Sequence, residues 1–293
     1  MSAKKLMVYG IVMMSMAFWS LTYIWYKKVF TELSPITVMT FRLGISSLSI
    51  FLFAKIINKF QIPDKQDIKR FILLSFFQPF IYFLAESYGV NLVSPTVSAV
   101  IISTIPLFIP IAAYLFFKEK ISFINILGFI ISFAGVLIIV LGKNLHFEAS
   151  VKGISFLFIA VLAAVFYSLI IIKIAEKYNS FSIIIWQNFL GTVMFLPLFF
   201  IFDYKDFSAE NISTDVMINM LYLALLGSSA AYIFFTYGIK NIGVSKASLF
   251  TNLIPGFTAV FAWIMLGEHL SIFKIIGILI VIAGLFLGQR SKK

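Results

Sequence analysis

The chain contains no cysteine. Disulfides and thiolate metal sites are therefore excluded, and no redox compartment can be read. Charge is scarce too: 12% of its 293 residues are charged, and only two are histidines, His146 and His269. These lie far apart in the sequence, and no HExxH, paired-aspartate or Ser/His constellation falls within an apolar run. A membrane-embedded enzyme is disfavoured on that ground, and neither a metal nor an organic cofactor is expected. A P-loop is missing, so ATP hydrolysis by this chain is unsupported. Nor is there a ring of charges or a carbonyl filter, which weakens the reading as a channel.

What the chain has is apolar sequence: 61% of residues are hydrophobic and the mean hydropathy is +1.03. A soluble domain carries roughly 45–50%, so this is an integral membrane protein. The formal net charge is +11, but the cations lie between long apolar runs. There they orient spans rather than grip nucleic acid. The first run, residues 6–26, follows Lys4 and Lys5 as a signal peptide would. It is long enough to span and lacks a small-residue cleavage site, so a retained first helix is expected.

A hydrocarbon core of about 30 Å needs roughly 20 apolar residues of helix. The chain divides into ten such runs, near residues 6–26, 36–55, 71–92, 95–117, 122–141, 153–173, 182–202, 215–239, 244–266 and 272–289. With both termini in the cytoplasm, only Lys27, Lys28, Lys143, Lys152, Lys205 and Lys274 fall in outer loops. All other Lys and Arg residues, Arg42 apart, fall inside, as the positive-inside rule requires.

The most informative pattern is an internal repeat. Tyr88, Gly89, Pro106, Glu119, Ser122, Gly128 and Gly135 recur as Tyr237, Gly238, Pro255, Glu268, Ser271, Gly277 and Gly284, all at an offset of 149. The halves are residues 1–145 and 150–293. Each holds five spans, an odd number, so the second half must enter the membrane from the opposite face. The fold class that follows is an all-α membrane protein of ten transmembrane helices arranged as two inverted five-helix repeats.

Within the repeat, Ile105-Pro106, Glu119, Gly128 and Ala134-Gly135 return as Ile254-Pro255, Glu268, Gly277 and Ala283-Gly284. An early Phe18-Trp19-Ser20 is echoed by Phe166-Tyr167-Ser168. Over the whole chain this closely resembles the EamA-type transporters of the drug/metabolite transporter superfamily. The resemblance implies a carrier or exporter of small metabolites in the bacterial inner membrane, with a cavity lined chiefly by helices 1, 3, 4, 6, 8 and 9. It does not imply a substrate, because members handle amino acids, other metabolites and drugs.

The residues offer candidates of their own. Pro106 and Pro255 each sit about eleven residues into a span, near the bilayer midplane. They read as packing kinks or as cavity-lining bends. Polar or small faces run beside them: Thr96, Ala99 and Ser103 in one half, Ser245, Ser248 and Asn252 in the other. Span 3 carries Gln78, Tyr82 and Glu86 on one face, and span 8 carries Ser228, Tyr232 and Thr236. Gln187 and Asn188 lie in span 7. Glu86 and Arg42 both lie roughly 9 Å below the outer boundary. Three readings of them stay open: a packing ion pair, capture of the carboxylate and amine of a zwitterionic metabolite, and proton coupling through Glu86. Trp19, Tyr23, Tyr82, Tyr167, Trp186 and Tyr232 are candidate cavity walls, whereas Trp25 and Trp263 read as interface anchors. Glu119 and Glu268 are expected to accept backbone N–H groups as the next helix begins. The expected partners are a small-molecule substrate and the lipid bilayer.

Overall fold

The structure is a computed structural model that describes residues 3–118, 122–141, 149–208, 210, 212–242, 247 and 250–288. Glu119, Lys143, His146, Ser245, Lys246 and Ser248 lie outside the described residues. Among the described residues the regular elements are all helical. Eight helices are long and apolar enough to cross a membrane: α1 (Leu6–Val29), α2 (Pro35–Ile56), α3 (Ile68–Leu92), α4 (Pro95–Phe116), α5 (Phe123–Leu141), α6 (Val151–Ala175), α7 (Ser180–Asp203) and α8 (Thr214–Ile239). Two shorter apolar helices follow, α9 (Ile254–Leu266) and α10 (Ile272–Gly288).

Local chemistry sets several helix starts. Ser34 and Ser94 each precede a proline, and their hydroxyls accept the N–H of Thr37 and Val97. Asn179 Oδ1 and Ser213 Oγ likewise accept the N–H of Ser182 and Val216. Each satisfies one of the amides that a helix start leaves unpaired. Outward faces stay apolar, with Leu48, Phe123, Ile201 and Leu279 each at least 60% exposed. A surface of that kind is suited to lipid chains rather than water.

Contacts between helix ends sort the ends into two faces. Lys27 at the end of α1 donates to Asn91 O at the end of α3, and Asp203 at the end of α7 accepts from Thr37 N at the start of α2. On the face where the chain begins, Asn179 Nδ2 donates to Lys59 O and Trp186 Nε1 donates to Gln61 O.

The packing obeys the offset seen in the sequence. Antiparallel helices α5 and α10 touch through small residues, with Gly128 on the backbone of Gly284 and Gly288, and Gly135 on the backbone of Gly277. Adding 149 turns Gly128 into Gly277 and Gly135 into Gly284, so the two contacts exchange. Between them Ser132 Oγ donates to Val281 O at 3.4 Å, a pair whose members are 149 residues apart and so images of each other. A pseudo-twofold axis passes there, across the helices rather than along them. Helices α2 and α7, also images, pack on each other, while α1 on α8 is matched by α6 on α3.

Irregular backbone occurs in both halves as well. Helix α3 kinks at Gln78, just before Pro79, and a π-helical stretch occupies Tyr222–Ala230 of α8. Helix α4 is interrupted at Ser103 and Thr104, and the helical backbone before α9 is interrupted at Asn252 and Leu253, each just ahead of its proline. A proline gives up one amide donor and leaves a carbonyl without its helical partner. Around the first break the Ser103 and Thr104 hydroxyls donate to Val100 O and Ile101 O. Near the second, Ser20 of α1 donates to Ile254 O.

Candidate functional site

Arg42 and Glu86 lie in one buried cluster, but they form no ion pair within 4.0 Å. Tyr26 stands between them: Arg42 Nη1 donates to the Tyr26 hydroxyl, and that hydroxyl donates to Glu86 Oε2 at 3.2 Å. Tyr82, one turn before Glu86 on α3, donates to Oε1 at 2.8 Å, and Tyr23 lies against the same carboxylate. Arg42 Nε donates to Ser228 Oγ at 2.6 Å, and its guanidinium lies 4.6 Å from the centroid of the Phe83 ring. The cluster thus draws on α1, α2, α3 and α8. Gly227 makes room for it, because a Cβ there would stand 2.5 Å from Thr22 and 3.5 Å from Arg42 Nη2.

A second polar group lies toward the face where the chain begins. Gln78 leaves helical geometry (φ −147°, ψ 119°) at the kink of α3, and its carbonyl accepts from Gln187 Nε2 at 2.8 Å. Its own side chain donates to the Tyr232 hydroxyl at 3.1 Å, and Tyr167 donates to Gln187 Oε1 at 3.4 Å. Trp19 meets Tyr232 edge-on with ring centroids 5.1 Å apart. On the α2–α7 seam, Asn188 Nδ2 donates to Ser46 Oγ at 2.9 Å, and Ser46 shares a hydrogen bond with Ser229 at 2.8 Å.

Of the candidate residues, Arg42, Tyr82 and Glu86 meet in the first group, and Trp19, Gln78, Tyr167, Gln187 and Tyr232 meet in the second. Ser103 turns its hydroxyl back onto its own helix, Asn252 is buried at the matching break, and Thr236 is half-buried on α8. Pro106 and Pro255 each follow an interruption of their helix. Trp25 is buried against Tyr222 and does not sit at the lipid interface, whereas Trp263 is 60% exposed. Glu268 accepts from Thr96 N and Oγ1 at the start of α4, on the far half of the chain, and from Lys274 Nζ of α10 at 3.0 Å, rather than from the backbone N–H groups of the helix that follows it. Among the described residues no group of three His, Cys, Asp or Glu side chains is arranged to hold a metal.

Sequence reasoning missed Tyr26, whose hydroxyl is the bridge, and the Ser46–Ser229 pair. It also missed a charged cluster at the face where the chain begins. Asp67, the residue before α3, accepts from Lys177 Nζ at 2.6 Å, Tyr178 at 2.9 Å and Arg70 at 2.9 Å, and Lys177 reaches Asp64 at 2.5 Å. These hydrogen bonds from Lys177 and Tyr178 hold the Asp67 carboxyl below the usual carboxylate range. The available signal was positional: Lys177 is the image of Lys28 at the offset of 149.

Helices long and apolar enough to cross a membrane, exchanging contacts across an axis with polar side chains gathered between them, are an architecture found in many secondary transporters. The EamA-like transporter family matches the chain twice, over residues 6–141 and 151–288. This chain belongs to that family. It is 27% identical over 256 residues to the uncharacterized transporter YdfC of Bacillus subtilis, covering 86% of this chain and 80% of the relative. An uncharacterized transporter of Archaeoglobus fulgidus is 25% identical, covering 96% and 98%. A protein of known crystal structure superposes with a TM-score of 0.70 at 12% identity, over 96% of this chain and 97% of its own, which establishes the fold alone.

Proposed function

We propose that this protein is a secondary transporter that moves a small metabolite, such as an amino acid or a similar organic solute, by alternating access. In this reading α9 and α10 complete ten spans, the halves are inverted five-helix repeats, and the protein lies in the bacterial inner membrane with both termini cytoplasmic. The observation that carries it is the exchange of contacts about Ser132 and Val281. Two halves related in that way can trade conformations, so that a central site opens first to one face and then to the other. Export is the direction that the family resemblance suggests.

Arg42 and Glu86 supply the chemistry for a zwitterion. A guanidinium matches a carboxylate, and a carboxylate matches an ammonium group. The single Tyr26 hydroxyl that separates them stands where a ligand with both charges would insert. Purified protein in liposomes, tested against a panel of amino acids and cationic drugs at defined pH gradients, checks the reading. Saturable uptake that is accelerated by substrate on the opposite side is the expected result. Non-saturable flux without such counterflow would make the protein a channel instead.

A further inference from the structure

Two charged contacts, one at each face, are images of each other. Lys177, just after α6, holds Asp67 at the start of α3. Lys28, in the last turn of α1, holds Asp215 in the first turn of α8 at 3.5 Å. Subtracting 149 from Lys177 gives Lys28, and adding 149 to Asp67 falls within one residue of Asp215. Each contact therefore ties the connection between the first two helices of one half to the first helix-start of the α3 or α8 pair in the other half.

The images are unequal. At the first face Lys177 bridges Asp64 and Asp67 at 2.5 and 2.6 Å, Tyr178 adds a hydroxyl, and the Asp67 side chain is 6% exposed. Around it Gln61 accepts from Asn179 N at 2.8 Å, and Asp64 N donates to the Tyr178 hydroxyl at 2.9 Å. At the second face the lysine has a single, longer contact, and its aspartate is 65% exposed. Beside it the Glu32 carboxylate accepts from Ser213 N at 2.8 Å. One latch is closed and its image is slack.

We propose that these two contacts are alternating gates: Lys177 with Asp64 and Asp67 seals the face where the chain begins, and Lys28 with Asp215 seals the opposite face, each tightening as the other loosens. A pseudo-twofold exchange of conformations requires an asymmetry of this kind, because whatever one half does at one face its image must do at the other in the second state. In the observed arrangement the first of these gates is closed and the second is slack, while Glu268 still holds Thr96 and Asp203 still holds Thr37 across the halves at the second face. This inference rests on the transport reading above and adds the residues that control access to its site.

The absence of native cysteine makes the test direct. Spin labels on introduced cysteines at Gln66 and Glu176 report the first gate, and labels at Thr31 and Met217 report the second. All four positions are exposed. Lys177→Met should widen the first distance and shorten the second, shifting the ratio of the two states by roughly two- to fivefold, as expected for a partly exposed ion pair. Lys28→Met should shift it the other way, and Lys177→Arg should keep the native distribution. Asp67 also serves as the residue before a helix, so the lysine variants rather than Asp67→Asn carry the test. Loss of thermal stability with no opposed change in the two distances would overturn the gates and leave the contacts as static pins. If the gates fail while liposome flux persists, transport stands without them. If saturable flux is itself missing from the native protein, the transport reading is what has failed.

Discussion

Tyr26 turns two buried charges into one network, and side-chain chemistry sets how strongly each member is needed. Tyr26→Phe removes a hydroxyl with an aromatic ring left in place, so a loss of about 1–3 kcal/mol is expected from the partners left unsatisfied. Arg42→Gln removes the only cation in the cluster and leaves the Glu86 carboxylate with hydroxyl partners alone, for which about 3–5 kcal/mol is expected. Unfolding in detergent should therefore rank Arg42→Gln below Tyr26→Phe and both below the native chain. If Arg42→Gln unfolds more easily yet transports normally, the cluster is a packing device and the zwitterion site is lost. A Glu86→Gln variant that retains full flux indifferent to a pH gradient would eliminate proton coupling through that residue. At Asp67 the sign is fixed by its lowered folded-state value. Its stabilisation is present above the unfolded carboxylate value, roughly pH 4, and is lost as pH falls through the folded one. Melting followed from pH 6 to pH 3 should show that acid loss in the native chain, and a smaller one in Asp67→Asn. Depth along the helices was enough to set Arg42 and Glu86 at one level. It was not enough to find Tyr26, because one tyrosine among many in an aromatic-rich span carries no mark until its neighbours are known.

At the scale of elements, small residues decide which helices meet. A Cβ on Gly128 would fall on the backbone of Gly288, and one on Gly284 would fall on the backbone of Ser132. Backbone cannot step aside as a flexible side chain can, so Gly128→Ala and Gly284→Ala should each force α5 and α10 apart and destabilise the protein by about 1–3 kcal/mol. Gly10 has nothing within 4 Å of its notional Cβ. There the same change should be neutral or stabilising by up to about 1 kcal/mol, through helix propensity alone. Melting curves that place Gly10→Ala with the two others would show that the close approach is not what those glycines serve. The repeated glycines were visible in the sequence as anchors of a duplication. That they meet each other was not, since an offset says which segments are equivalent and not which ones touch. The π-helical stretch of α8 was hidden for a related reason: an apolar run of 26 residues reads as one continuous span whether or not a turn within it is widened.

For the whole molecule the open quantity is which face is which. The cation distribution argues that the face where the chain begins is cytoplasmic, and the latch built on Lys177, Asp64, Asp67 and Arg70 lies there. Lys65 and Asp206 are exposed on opposite faces, and the cysteine-free chain makes a single introduced thiol at either one unambiguous. In intact cells a membrane-impermeant maleimide should modify Asp206→Cys and spare Lys65→Cys, with both reacting once the membrane is permeabilised. Labelling of Lys65→Cys from outside would invert the orientation. It would leave the exchange about Ser132 and Val281 untouched, because that relation depends on which residues pack together and not on which compartment they face. The gates would then trade sides, and the closed latch of the observed state would seal the outer mouth of the site instead of the inner one.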